Sequence, residues 1–68
     1  MRKFRINNYM KGRITFQMEH LIDSGAIEFE KANRNTGVVV IHEDLIDDKY
    51  ELEYIYRTLI PMNREIKN

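Results

Sequence analysis

The chain has 68 residues, and this length allows one small domain. Hydrophobic residues make up 43% and charged residues 32% of the composition, which is typical of a folded chain. Eleven basic residues balance eleven acidic ones, so net charge gives no general reason to bind nucleic acid or membranes. Cysteine is absent, which excludes disulfides, thiolate metal sites and thiol catalysis. A small core without these supports favours oligomerisation.

The sequence indicates a cytoplasmic protein that does not insert into membranes. Its longest uncharged apolar run is 37–41, which is far shorter than a bilayer span. The basic N-terminal residues are not followed by the apolar segment of a secretion signal. We therefore expect a cytoplasmic location.

The first 25 residues begin with a short strand and continue into an ambiguous segment. Phe4 and Ile6 alternate with charged residues, as in a half-exposed strand. β-branched and aromatic residues favour a second strand over 13–17, followed by a short helical turn that Gly25 ends. One continuous helix over 13–24 is the alternative, because helical spacing also relates Ile14, Met18, Leu21 and Ile22.

A β-hairpin is predicted next. Ile27 and Phe29 alternate with glutamates, which predicts a half-exposed strand over 26–31. Turn-forming residues follow at 33–37. The unbroken apolar run 38–41 then predicts a central strand that is covered on both faces. A single helix covers only one face, so the other face needs another element or a second subunit, and we expect a homodimer.

A C-terminal helix over 48–60 has the clearest pattern. Asp48 with Glu51 three residues later fits a capping box. Helical spacing relates a set of apolar residues, namely Leu52, Ile55, Tyr56, Leu59 and Ile60. Pro61 ends the helix, and the polar tail 62–68 is expected to fray.

These elements predict an α+β fold, in which a small antiparallel sheet of three or four strands carries one C-terminal helix packed on a face. The domain spans 1–61 and is followed by the polar tail 62–68. The expected core takes the inward residues of the strands and the apolar side of the helix: Phe4, Ile6, Ile14, Phe16, Leu21, Ile27, Phe29, Val38, Val40, Leu52, Ile55, Tyr56 and Leu59.

Two segments carry a pattern found in a known family. They read FRINNYMKGRITF over 4–16 and NRNTGVVVIHED over 33–44. The first resembles the opening of the cysteine-less branch of the heavy-metal-associated domain family (aromatic-R-I-x-H-x-L-P-G-R-I-R-L), with Asn8 and Lys11 in place of its histidine and proline. The second is similar to the hairpin N-P-x-T-G-S-V-L-V-x-Y-D of that family. The resemblance implies a ferredoxin-like fragment that serves as an accessory module, and without cysteine it implies no metal site.

Charge is segregated along the chain. Residues 1–17 contain five basic and no acidic residues, whereas 43–53 contain six acidic residues and one lysine. The basic segment also contains aromatic residues, a combination that can bind nucleic acid. The acidic segment can imitate phosphate charge, as in small phage-type inhibitors. Both segments also suit contacts between protein surfaces.

We take the charged segments and a tyrosine pair as the candidate interaction surface, which comprises Arg2, Lys3, Arg5, Lys11, Arg13, Glu43, Asp44, Asp47, Tyr50 and Tyr54. His20 and His42 are expected to lie at the surface rather than to bind metal. The sequence predicts no catalytic residues and no cofactor. We therefore expect a non-catalytic protein-interaction module that associates with itself and with another protein. A small nucleic-acid-associated regulator or phage-type inhibitor is the alternative, and nucleic acid is the less favoured partner.

Overall fold

The structure, a computed structural model, describes residues 1–31 and 36–67. At its centre is a three-stranded antiparallel sheet with the order β1-β3-β2, formed by β1 (Arg2–Asn7), β2 (Ile27–Lys31) and β3 (Thr36–Ile41). This arrangement confirms the small α+β fold with an antiparallel sheet. The turn predicted over 33–37 falls mainly on residues outside the described part of the chain.

Helices connect the strands and follow them. The first two are α1 (Asn8–Gln17) and α2 (Glu19–Asp23), which lie between β1 and β2. After β3 come a 3-10 turn (Glu43–Leu45), α3 (Lys49–Tyr54), a π turn (Ile55–Leu59) and a second 3-10 turn (Met62–Arg64). The single helix expected from the sequence is thus joined by two others.

The strand β3 is central, as the apolar run 38–41 predicts. Since β1 and β2 are both antiparallel to β3, they run parallel to each other, and a connection between parallel strands must cross one face of the sheet. The helices α1 and α2 form this crossover. Alternation along β3 places Val39 and Ile41 in the core, whereas Val38 and Val40 belong to the opposite face.

The strand predicted over 13–17 is wrong, because these residues belong to α1. Asn7 caps this helix, and its Oδ1 accepts a hydrogen bond of 2.8 Å from the backbone N–H of Met10. Met10 and Ile14 lie four residues apart on the buried side. Phe16 was expected in the core but is 86% exposed on the other side. The cap, the buried side and the required crossover together outweigh the local strand propensity.

The continuous helix considered for 13–24 is interrupted at Met18, where α1 ends and α2 begins. Gly25 follows α2 with a φ of 87°, a conformation that favours glycine. Its N–H donates to the carbonyl of Ile22 at 3.1 Å. Gly25 therefore ends the helical segment, as the sequence predicts.

The start of α3 follows the predicted cap. The Oδ1 atom of Asp48 accepts hydrogen bonds from the backbone N–H groups of Tyr50 at 2.9 Å and Glu51 at 3.3 Å. The carboxylate of Glu51 contacts Nε2 of His20 at 2.7 Å, so Glu51 connects α3 to α2. Asp48 thus supplies its half of the predicted capping box, whereas the side chain of Glu51 turns to His20.

The end of the C-terminal helix is widened into a π turn. The N–H of Ile60 donates to the carbonyl of Ile55, five residues earlier, at 2.9 Å. Ile55, Leu59 and Ile60 are all buried. The turn thereby anchors the helix to the core just before Pro61.

The tail predicted to fray is held against the edge of the sheet. Arg2 donates from Nε and Nη2 to the two carboxylate oxygens of Glu65 at 2.8 and 2.7 Å. The N–H of Ile66 donates to the carbonyl of Lys3 at 2.8 Å, and Glu65 forms a β-bridge with Phe4. These contacts add a short segment beside β1. The composition of the tail did not reveal them, because both partners lie at the other end of the chain.

The core lies between the sheet and the helices. Among the expected residues, Phe29, Leu52 and Tyr56 are half-buried and pack against it. Several buried residues were not expected, namely Met10, Met18, Ala26, Val39, Ile41, Ile46 and Ile60.

Substitution of a buried residue in the π turn tests this packing. We expect Ile55→Ala to lower the free energy of unfolding by about 2–5 kcal/mol, because Ile55 is fully buried and the smaller side chain leaves a cavity. Phe16→Ala is the control, and its effect should stay within about 0.5 kcal/mol. Urea denaturation followed by circular dichroism measures both values, and equal effects would contradict the packing described here.

Candidate functional site

The candidate residues do not form a single patch. They occupy four places: the start of β1 with the turn after β3 (Arg2, Glu43), the sheet face away from the helices (Lys3, Arg5), α1 (Lys11, Arg13) and the segment from the 3-10 turn to the end of α3 (Asp44, Asp47, Tyr50, Tyr54). These places differ in charge and exposure.

Arg2 is held in a cluster of charged and aromatic side chains. Besides its two hydrogen bonds to Glu65, its Cζ lies 4.7 Å from the ring centre of Tyr56 and 5.5 Å from that of Phe4. Nη1 lies 3.9 Å from the carboxylate of Glu43. A guanidinium with these contacts stabilises the edge of the sheet and is poorly placed to bind a ligand.

The same cluster shifts the pKa values of Arg2, Glu65 and Tyr56, and the hydrogen bonds to Glu65 raise that of Arg2. The hydrogen bonds from Arg2 hold the pKa of the Glu65 carboxyl below its ordinary value of 4.5. Burial raises the pKa of the Tyr56 hydroxyl, and the carboxylate of Glu43 adds to this effect. The hydroxyl has no hydrogen-bond partner among the described residues. Glu65 and Tyr56 therefore belong to the contacts that hold this edge of the sheet.

The sheet face away from the helices, called here the outer face, has opposite charges on its two sides. It comprises two rows of paired residues, Lys3–Val40–Glu28 and Arg5–Val38–Glu30. In each row the basic residue lies on β1, the valine on β3 and the acidic residue on β2. The outer face is thus an apolar centre between a basic edge and an acidic edge.

Charged side chains flank the valines of the outer face. Val38 is 9% exposed and Val40 is 2% exposed, although neither belongs to the core cluster. Nζ of Lys3 lies 3.4 Å from the carboxylate of Glu30, so this ion pair crosses β3 diagonally. The aliphatic parts of such long side chains can cover apolar neighbours. Both faces of β3 are therefore covered within one subunit, one by the helices and the other by these charged side chains.

The exposed side of α1 carries two large aromatic residues. Tyr9 is 71% and Phe16 is 86% exposed, and their separation of seven residues places them on the same side of the helix. Gly12 lies between them, and a Cβ atom built there would meet nothing within 4 Å. We call Tyr9, Gly12 and Phe16 the aromatic stripe. Exposed apolar groups gathered on one surface are typical of contact sites.

One member of the tyrosine pair of α3 contacts the end of α1. The hydroxyl of Tyr54 donates to Oε1 of Gln17 at 2.5 Å, and Tyr54 is 39% exposed. Tyr50 is 85% exposed. Tyr54 therefore borders the helix that carries the aromatic stripe.

The two histidines belong to separate pairs. Nε2 of His20 lies 2.7 Å from Glu51, and Nε2 of His42 lies 3.7 Å from Glu28. In residues 1–31 and 36–67, no group of three or more histidine and acidic side chains is arranged to hold a metal ion.

Sequence reasoning missed the aromatic stripe and the acidic side of the outer face. The spacing of Tyr9 and Phe16 with a glycine between them is visible in the sequence, but it has meaning only if the segment is helical. Glu28 and Glu30 were recognised as the exposed side of a strand. Their relation to Lys3 required the register of the sheet.

Comparison with known proteins finds no matching family model, no similar curated protein and no similar solved structure. Among the described residues, no helix is long and apolar enough to cross a membrane.

The hydrogen bonds between Arg2 and Glu65 predict a pH dependence of stability. Because the pKa of Glu65 is lower in the folded protein, the pair stabilises the fold above about pH 4.5, and this contribution is lost as the pH falls. We expect Glu65→Gln to be less stable than the unchanged protein near neutral pH, with a difference that shrinks in acid.

Urea unfolding between about pH 7 and about pH 3 measures this difference. Glu53→Gln is the control, because Glu53 is exposed on α3 and pairs only with Arg57 one turn away among the described residues. A difference for Glu65→Gln that is unchanged in acid would contradict the prediction.

Proposed function

We propose that this chain is a non-catalytic protein-interaction module that binds a partner protein through the aromatic stripe of α1. The observation that carries this proposal is the exposure of Tyr9 and Phe16 on a helix whose opposite side is packed into the core. Aromatic side chains are enriched in protein interfaces and supply much of their binding free energy. In the isolated domain these two rings do not contribute to the core, so binding is the use that best fits their position.

The surroundings of the stripe indicate the chemistry of the partner. Lys11 is exposed and Arg13 is half-buried on α1, and this helix contains no acidic residue. Gly12 leaves space between the two rings for a side chain of the partner. A segment with apolar residues next to acidic ones would complement this surface.

The proposal includes the expected accessory role of a cysteine-less heavy-metal-associated domain acting in the cytoplasm without a cofactor. The crossover from β1 to β2 around a central antiparallel β3 is the split βαβ unit of ferredoxin-like folds, which supports this idea at the level of topology only. The same topology serves many functions, so the argument for partner binding rests on the aromatic stripe.

Nucleic-acid binding is the second candidate, because Lys11 and Arg13 lie on the same helix as two exposed aromatic rings. Two other basic residues are engaged elsewhere. Arg2 is bound to Glu65, and Lys3 pairs with Glu30 on the outer face. Two of the five basic residues of 1–17 are thus paired with carboxylates, and the chain as a whole has no net charge. Both observations favour a protein partner.

Site-specific photocrosslinking tests the leading proposal. We expect p-benzoylphenylalanine at position 16 to crosslink another protein in an extract of the source cells, because it keeps an aromatic ring in the stripe. The same group at position 58, which is exposed on the π turn, should give little product.

Competition makes the crosslinking test specific. An excess of the unchanged protein should suppress the product at position 16, whereas an excess of Phe16→Ala should not. Equal suppression by both competitors, or equal crosslinking at positions 16 and 58, would contradict the role of the stripe.

A gel-shift assay at low salt tests the alternative. We expect no shift of single-stranded or double-stranded DNA or RNA, because the chain has no net charge and Arg2 and Lys3 are paired with glutamates. A shift that disappears steeply with added salt, and that Lys11→Gln weakens, would instead establish nucleic-acid binding.

A further inference from the structure

We propose that two copies of this chain associate through their outer faces, around a two-fold axis parallel to β3. The outer face lies on the side of the sheet opposite to the helices, so this contact is independent of partner binding by the aromatic stripe. Its occupant is a second copy because the surface is complementary to itself: each row runs from a basic residue through a valine to an acidic residue.

The charges select the direction of the axis. Rotation about an axis parallel to β3 places β1 of one copy over β2 of the other. Lys3 then faces Glu28 of the second copy, and Arg5 faces Glu30 of the second copy. An axis in the plane of the interface but perpendicular to β3 would place β1 over β1, so that basic residues faced each other. Opposite charges attract and like charges repel, so the parallel axis is favoured.

The register of the sheet fits this arrangement. A rotation about an axis parallel to β3 does not change positions along the strand, so each row of one copy can meet the same row of the other. Val38 and Val40 then lie nearest the axis. They meet their own counterparts once Lys3 and Glu30, which pair across β3 within one copy, turn to the opposite charges of the second copy. Aligned packing of two sheets in this way is common in β-sandwiches.

Further apolar groups border the outer face. A shallow groove of about 320 Å³ lies beside Val38 and is also lined by Met1 and Ile66. Met1 is 75% exposed and Ile66 is half-buried. A second copy placed over the valines would cover these side chains as well.

The geometry predicts a reversible dimer. The three strands span roughly 14 Å by 20 Å. The area of the outer face is therefore far less than the ~800 Å² per partner of a typical stable complex. The ion pair between Lys3 and Glu30 within one copy is largely exposed and contributes little, so both side chains are free to exchange partners. Association should therefore depend on concentration and weaken as salt screens the charges.

Analytical ultracentrifugation tests the dimer and its contacts. We expect the dimer fraction of the unchanged protein to rise with concentration and to fall with added salt. Arg5→Glu should weaken association about tenfold or more, because it places two glutamates opposite each other. Arg5 is exposed, so circular dichroism should show an intact fold. Lys49→Glu is the control, since it makes the same charge change at the exposed start of α3 and should have no effect.

A mixture of two charge-reversal variants gives the decisive result. Glu30→Arg alone should also fail to dimerise, since it places two arginines opposite each other. Mixing Arg5→Glu with Glu30→Arg restores opposite charges at both contacts, so we expect a heterodimer. If Glu30→Arg does not fold, the effects of Arg5→Glu and of salt still decide the proposal.

Three results would overturn the proposed dimer. The unchanged protein could remain monomeric up to about 1 mM at low salt, which would correspond to negligible affinity. Association could be unaffected by Arg5→Glu, or the two folded variants could fail to associate when mixed. None of these results bears on crosslinking at position 16, so this proposal and the proposed function fail separately.

Discussion

The placement of β3 between two strands that run parallel to each other determines most of this structure. All pairing among the three described strands involves β3, so β1 and β2 share no backbone ladder with each other. The chain must therefore cross one face of the sheet between β1 and β2, and α1 and α2 make that crossing. Because the helices lie on that face, the side chains of the other face contact mainly those of neighbouring strands. The division of the molecule into a helical side and an outer face follows from this one arrangement.

Local sequence patterns predicted the elements that depend on local physics. The β-branched run 38–41 identified the central strand, Asp48 identified the start of α3, and Gly25 identified the end of α2. The prediction of a strand over 13–17 was wrong, because the strand propensity of this segment competes with a crossover that only the complete topology requires. Arg2 and Glu65 are separated by 63 positions, and no local pattern reveals a contact over that distance.

Sequence patterns did not predict the two candidate surfaces, and the reasons differ. The aromatic stripe depends on helical geometry, because in a strand Phe16 would have faced the core beside Ile14. The outer face depends on register, since a shift of one residue in β2 would have placed Ile27 and Phe29 there and its glutamates in the core. The basic and acidic segments read from the sequence therefore describe the composition of the chain well, but their arrangement in space follows from strand order and pairing.

The contacts of Arg2 with Glu65 also determine where the two ends of the domain emerge. Because these residues bind each other directly, the chain enters and leaves at the same edge of the sheet, beside β1. A domain with neighbouring ends can be inserted into a loop of another protein with short connections, or circularly permuted through a short linker. A fusion at residue 1 would begin beside Lys3 and Val38. A bulky N-terminal tag could therefore obstruct the outer face, whereas a fusion within a distant loop would leave it open.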